Sequence, residues 1–82
     1  NIQRAKFINS KLNAMNFTKS NIIGTDFKNS ELKSAIFKGV DCSNVRFKGT
    51  DIRSANLIKK KNITKEMVME AKDYRDIKGI SL

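Results

Sequence analysis

Eighty-two residues with a formal net charge of +9, of which 39% are hydrophobic and 30% charged, describe one small basic domain. The chain holds no Pro, Trp or His and a single Cys, which excludes a Ser-His-Asp triad, a clustered Cys/His zinc site and an internal disulfide. No apolar run approaches the ~20 residues of a membrane-spanning helix and no signal peptide is visible, so a cytoplasmic location is expected. The sequence starts without Met and inside a repeating pattern, and the expectation is the C-terminal part of a longer protein.

The pattern runs from Ile2 to Leu57. Every fifth residue is apolar: Ile2, Phe7, Leu12, Phe17, Ile22, Phe27, Leu32, Phe37, Cys42, Phe47, Ile52 and Leu57. Two residues before these centres stand mostly small or β-branched side chains, among them Ala5, Ser10, Thr25, Ser30, Ala35, Val40, Val45, Thr50 and Ala55. Immediately before them Asn and Asp are prominent, as at Asn16, Asn21, Asp26, Asp41, Asp51 and Asn56. A period of five fits neither the 3.6 of a helix nor the 2 of a lone strand, so each unit must be a short extended piece followed by a turn. Asn9, Gly24, Asn29, Gly39, Asn44 and Gly49 stand two residues after a centre, where a type II turn needs positive φ.

Triplets such as Thr25-Asp26-Phe27, Val40-Asp41-Cys42 and Ala55-Asn56-Leu57 resemble the Ala-Asp/Asn-Leu-x-x motif of the pentapeptide-repeat family. The resemblance implies an all-β solenoid, a right-handed quadrilateral β-helix with four units to a coil. Twelve units would then make about three coils. Residues twenty apart would stack about 4.8 Å from each other, giving the columns Ile2/Ile22/Cys42, Phe7/Phe27/Phe47, Leu12/Leu32/Ile52 and Phe17/Phe37/Leu57. Aromatic then lies on aromatic and aliphatic on aliphatic, as a narrow layered core requires. Cys42, in a centre column, is read as a core side chain.

Basic charge collects on the face carrying Phe7, Phe27 and Phe47, where Lys6, Lys28, Arg46 and Lys48 stand with Asp26. Lys6, Asp26 and Arg46 would alternate in sign up one column and Lys11 would lie over Glu31, so cross-strand pairing explains part of the pattern. Lys28 over Lys48 has no such explanation. The face reads either as a solvated surface or as a polyanion site.

The division expected is a repeat β-helix over residues 1–58 and a connector, capping helix and tail over 59–82. Lys59, Lys60 and Lys61 form the connector, and residues 62–74 read as a helix with Thr64 as N-cap and Ile63 and Val68 as a hydrophobic staple. Met67, Ala71 and Tyr74 share the apolar stripe with Ile63. Ile63-Thr64 followed by Met67, Val68 and Ala71 resembles the terminal Leu-Thr-x-x-x-Leu-x-x-Ala element of the family, which implies a lid over the open core and, in some members, a homodimer.

An enzyme is not expected, and neither is a cofactor or a metal. The carboxylates Asp26, Glu31, Asp41 and Asp51 are spaced by the repeat and point outward, without the enclosure that tunes an acid or base. The leading reading is a scaffold or protein-interaction module whose partner is another protein or another domain of the parent chain, with Ile23 and Ile36 as outward apolar residues. The alternative is a binder of nucleic acid or another polyanion through Lys6, Lys28, Arg46 and Lys48. Weak, non-specific binding is expected there, because no aromatic platform faces outward. Some members of the family mimic duplex DNA through an acidic surface, a pattern from which this basic chain departs.

Overall fold

The computed structural model describes residues 3–81, so Asn1, Ile2 and Leu82 and the expectations resting on them lie outside it. Parallel bridges join Lys6 to Asp26 to Arg46, Lys11 to Glu31 to Asp51, Asn16 to Ile36 to Asn56, and Asp41 to Lys61. Each step is twenty residues, so four five-residue units close one coil, as the column argument requires.

The turns follow from the same register. Asn9, Gly24, Asn29, Gly39, Asn44 and Gly49 all have positive φ, and so do Arg4, Ala14, Ser34, Ser54 and Lys59 at the equivalent place in other units. The coil therefore imposes the left-handed conformation even where the side chain opposes it. Backbone bonds such as Thr25 N–H to Ile22 C=O (3.0 Å) and Ala35 N–H to Leu32 C=O (3.0 Å) close these turns.

The Asn/Asp column acts on the turns as well. Side-chain oxygens of Asn16, Asn21, Asp26, Asp41, Asp51 and Asn56 each accept the backbone N–H two residues on, at 2.9 to 3.2 Å. These short polar side chains satisfy a donor that the turn leaves outside the ladder.

Two positions of each unit face inward. Ile22, Phe27, Leu32, Phe37, Cys42, Phe47, Ile52 and Leu57 are buried, together with Thr25, Ser30, Ala35, Val40, Val45, Thr50 and Ala55 two residues before the centres. That second set must be small because the bulky centres already fill the section. Phe27 is stacked between Phe7 at 5.8 Å and Phe47 at 6.1 Å, and Phe17 lies on Phe37 at 4.9 Å. The two stacks meet edge to face, Phe27 with Phe37 at 6.3 Å and Phe37 with Phe47 at 5.8 Å. The hydroxyls are also satisfied: Thr50 Oγ1 donates to Phe47 C=O at 2.6 Å, and Ser30 Oγ bonds Phe7 C=O and accepts from Ser10 N–H.

The C-terminal segment differs from the expected helix over 62–74. Helix α1 is Lys65–Met69, five residues, with Thr64 accepting Met67 N–H at its start. Ile63 and Ala71 of the stripe and Val68 of the staple are buried against the core, whereas Met67 is half-buried and Tyr74 is not on the helix. The ladder recaptures the chain first. Gly49 N–H donates to Glu70 C=O at 3.0 Å, and Thr50 C=O accepts Lys72 N–H at 2.7 Å. Asp73 then bridges Asp51 and Lys78 bridges Asn56, with Ile52 N–H to Asp73 C=O and Leu57 N–H to Lys78 C=O both 2.8 Å. The offset here is twenty-two instead of twenty, so α1 takes the place of one unit and adds two residues. Pairing also crosses residue 58 without a break, since Lys61 N–H bonds Val40 C=O and Cys42 N–H bonds Lys61 C=O. Lys61 of the expected connector is thus part of the ladder. Among the described residues no helix is long and apolar enough to cross a membrane.

Candidate functional site

The bridges fix where each outward side chain stands. Lys6 and Arg46 lie on either side of Asp26 in one column. Lys28 and Lys48 are neighbours in the next, where Lys48 C=O receives Asn29 N–H at 2.9 Å. Lys6, Lys28, Arg46 and Lys48 are all exposed, so the structure brings the four predicted cations onto one face.

Cross-strand ion pairing does not account for them. The Asp26 carboxylate holds Lys28 N–H at 2.9 Å, and among the described residues the ion pairs lie elsewhere: Arg53–Asp51 at 2.7 Å, Arg53–Asp73 at 3.6 Å and Arg75–Asp73 at 2.7 Å. Lys11 does not pair with Glu31 either. Glu31 takes the Asn13 amide at 3.0 Å, while Asn13 Oδ1 accepts Lys33 N–H at 2.9 Å. On that face the backbone turns, not the lysine, claim the polar groups.

The clasp of Asp51, Arg53, Asp73 and Arg75 binds the returning chain to the coil beneath it. Hydrogen bonds from Arg75 hold the Asp73 carboxyl down to about 2, and hydrogen bonds from Arg53 lower that of Asp51. Asp41 is lowered mainly by the amide of Asn62, which reaches it at 2.8 Å, and then by Ser43. Every one of these carboxylates is tied into a turn. Burial raises the Cys42 thiol to about 12, so it is a neutral core group.

Ile23 and Ile36 are half-buried, contrary to the exposure expected of them. Ile36 is flanked by Asn16 and Asn56 in the adjoining strands, which cover its sides. The exposed large apolar side chains are Ile8 (40%), Met15 (45%), Ile58 (39%) and Met69 (57%). Three of them belong to the first coil or the last units, and position in the stack is the signal that would have found them. A groove also opens between the solenoid and α1, lined by Ser43, Asn44, Val45, Arg46, Asn62, Met67 and Glu70. Sequence reasoning missed it because it depends on the short length of α1.

The family described as Pentapeptide repeats (8 copies) matches residues 1–39 and 27–59. The chain belongs to the pentapeptide-repeat family. A solved pentapeptide repeat protein from the thylakoid lumen of Arabidopsis thaliana is similar in structure, with a TM-score of 0.78 at 16% identity over 99% of this chain. This likeness gives the fold as a right-handed β-helix solenoid. The chain spans 55% of that relative's length. No curated protein matches it.

Proposed function

We propose that this pentapeptide-repeat chain is a non-catalytic scaffold or protein-interaction module acting in the cytoplasm. Its repeat β-helix, about three coils running on through the paired Lys61, presents rigid outward faces, and the segment from α1 onward closes the C-terminal end. The observation that carries the reading is the use made of the acidic side chains. Asp26, Asp41, Asp51 and Asp73, all half-buried, each hold a backbone N–H, a structural task that leaves them fixed and hydrogen-bonded instead of poised for proton transfer. Its partner is another protein or another domain of the parent chain. A homodimer through the α1 end, where Met69 is exposed, is one form of such an assembly, and light scattering across a concentration series tests it.

A second reading, polyanion binding, is favoured by the lack of ion pairing at Lys6, Lys28, Arg46 and Lys48 described above. Titration with duplex DNA at about 150 mM salt, where screening acts over roughly 8 Å, separates the two. The scaffold reading expects a non-specific Kd no tighter than about 10 μM, rising further in the Lys28→Glu, Lys48→Glu double variant. Sub-micromolar, sequence-selective binding would replace it with the second reading.

A further inference from the structure

The strand that returns after α1 completes a basic face that the repeat alone does not show. Parallel bridges carry one column from Asn16 through Ile36 and Asn56 to Lys78. The strands are joined by Phe17 N–H to Ile36 C=O (2.9 Å), Phe37 N–H to Asn56 C=O (2.8 Å) and Leu57 N–H to Lys78 C=O (2.8 Å). Lys38 follows Phe37 on the second strand, and Lys19 and Lys59 lie in the turns closed by Ser20 N–H to Phe17 C=O (2.9 Å) and Lys60 N–H to Leu57 C=O (3.0 Å). Lys19, Lys38, Lys59 and Lys78 are all exposed, and among the described residues no ion pair involves them. Residues 15–20, 35–40 and 55–60 contain no Asp or Glu. Acids stand only at the borders, Asp76 in the turn that enters the face and Asp41 on the strand that leaves it, and Asp41 is already held by Asn62 and Ser43. Among the lysines Ile58 is exposed and Ile36 half-buried. Lys28 and Lys48 lie on the opposite side of the four-unit coil, since the Phe27 and Phe37 rings meet edge to face across the core.

We propose that the face of Lys19, Lys38, Lys59 and Lys78 attaches the protein to an anionic membrane surface. Chemistry selects that partner over two others. Protein interfaces are depleted of Lys and built on aromatic side chains and Arg, and this face presents neither outward. A nucleic-acid duplex would meet the flat strands along a narrow strip, and its phosphates would give Ile36 and Ile58 nothing to pack against. An anionic bilayer uses both features. The lysines meet the headgroup charge, each favouring the surface by about fivefold, and the isoleucines face the boundary with the acyl chains. One polybasic patch with two isoleucines gives reversible, salt-sensitive attachment. This goes beyond the scaffold reading and does not depend on it, because a partner protein can occupy another face while this one rests on lipid.

The test is co-sedimentation of the full chain with phosphatidylcholine vesicles, with and without phosphatidylserine, at about 150 mM salt. Binding is expected only where phosphatidylserine is present, and it should fall as salt rises. Lys38→Glu with Lys78→Glu should lower it by about twenty-five-fold or more, at about fivefold for each lysine lost. Lys28→Glu with Lys48→Glu changes the net charge equally on the opposite side of the core, and should weaken binding far less because of screening. Ile58→Asn should also weaken it, with no change of charge. The substituted lysines are exposed, so melting points should hold. If Lys78→Glu disturbs the returning strand, Lys38→Glu with Lys59→Glu puts the same question. Equal losses in the two charge-matched pairs would overturn the face in favour of attraction by net charge alone. Sedimentation that ignores phosphatidylserine, or none with either vesicle, would overturn it as well. Duplex DNA that strips the protein from the vesicles at equal charge concentration would assign these lysines to nucleic acid instead.

Discussion

Two triplets make the same turn in different surroundings. Asp51-Ile52-Arg53 sits inside the regular solenoid, and Asp73-Tyr74-Arg75 lies beyond α1, where the period of five has already been broken. In each the Asp accepts the backbone N–H of the Arg, at 3.1 and 3.2 Å, and the Arg side chain returns to the same Asp at 2.7 Å. Ile52 is buried and Tyr74 half-buried at corresponding places. The comparison teaches that a coil is encoded by the polar, bulky, polar triplet and its turn chemistry, and that spacing is secondary. A helix with two extra residues can be inserted provided that the next triplet re-enters the ladder.

The largest expected effect breaks the regular region. Phe27→Ala should cost about 3 to 5 kcal/mol, as removal of a filled aromatic site does, because Phe27 is fully buried between Phe7 and Phe47. Phe7→Ala should cost clearly less, since Phe7 is only half-buried in the first coil. Denaturant melts of both variants check this, and equal losses would contradict the stacking.

Next comes the irregular region as a whole. Deleting residues 62–82 removes Ile63, Val68 and Ala71 from the core and strips partners from Gly49, Thr50, Ile52, Ser54 and Leu57. An open strand edge over an apolar core is a template for association, so the truncated chain should self-associate in light scattering. A monomer with an unchanged melting point would show that the segment closes nothing.

This contrast also explains what could be read in the sequence. The columns were legible because the period of five set every core position from Phe7 to Leu57, and the Asn/Asp column announced turns whose geometry the structure repeats. Tyr74 was misplaced for a physical reason: Met67, Ala71 and Tyr74 satisfy helical spacing, yet Thr50 C=O and Ile52 N–H compete for the chain from Lys72 onward and win. The pairing of Asp73 with Arg75, copied from Asp51 and Arg53, was the available signal. Ile23 and Ile36 were taken as exposed because one unit in isolation shows them so, while flanking strands 4.8 Å away cover much of such a side chain. The basic face was legible as a cluster, but its lack of ion pairing was not, since that depends on Asp26 turning to Lys28 N–H.

A smaller effect concerns acid. The Asp73 carboxyl lies at about 2 in the folded chain against an ordinary value of 3.8. A depressed folded value means that its contribution is complete above the unfolded pKa and is lost as pH falls through the folded one. Between about pH 4 and pH 2 the clasp to Arg53 and Arg75 should therefore loosen, and Asp51 shifts in the same direction. Amide exchange should rise first at residues 73–81 while the Phe27 region remains protected. Asp73→Asn should abolish most of this pH dependence, because the amide can still accept Arg75 N–H but no longer titrates. Uniform loss of protection along the chain would place the acid sensitivity elsewhere.

The smallest effect sharpens the comparison at the level of single turns. Ser34 has φ 61 and Gly49 has φ 71 at equivalent places in their units, so one residue carries left-handed strain that the other avoids. Ser34→Gly relieves a conformation costing roughly 1–2 kcal/mol but adds about 0.4–1 kcal/mol of unfolded-state freedom, leaving a net gain between about zero and about 1.6 kcal/mol. Gly49→Ala recovers about 0.4–1 kcal/mol by restricting the unfolded chain, which does not offset what it adds. It introduces the strain, and its Cβ would run into the Asn29 side chain packed over it, so Asn29 must turn away as well. Paired denaturant melts should place Ser34→Gly level with or slightly above the parent and Gly49→Ala below it. The reverse order would mean that side-chain stacking between coils, and not backbone conformation, decides which residue each turn accepts.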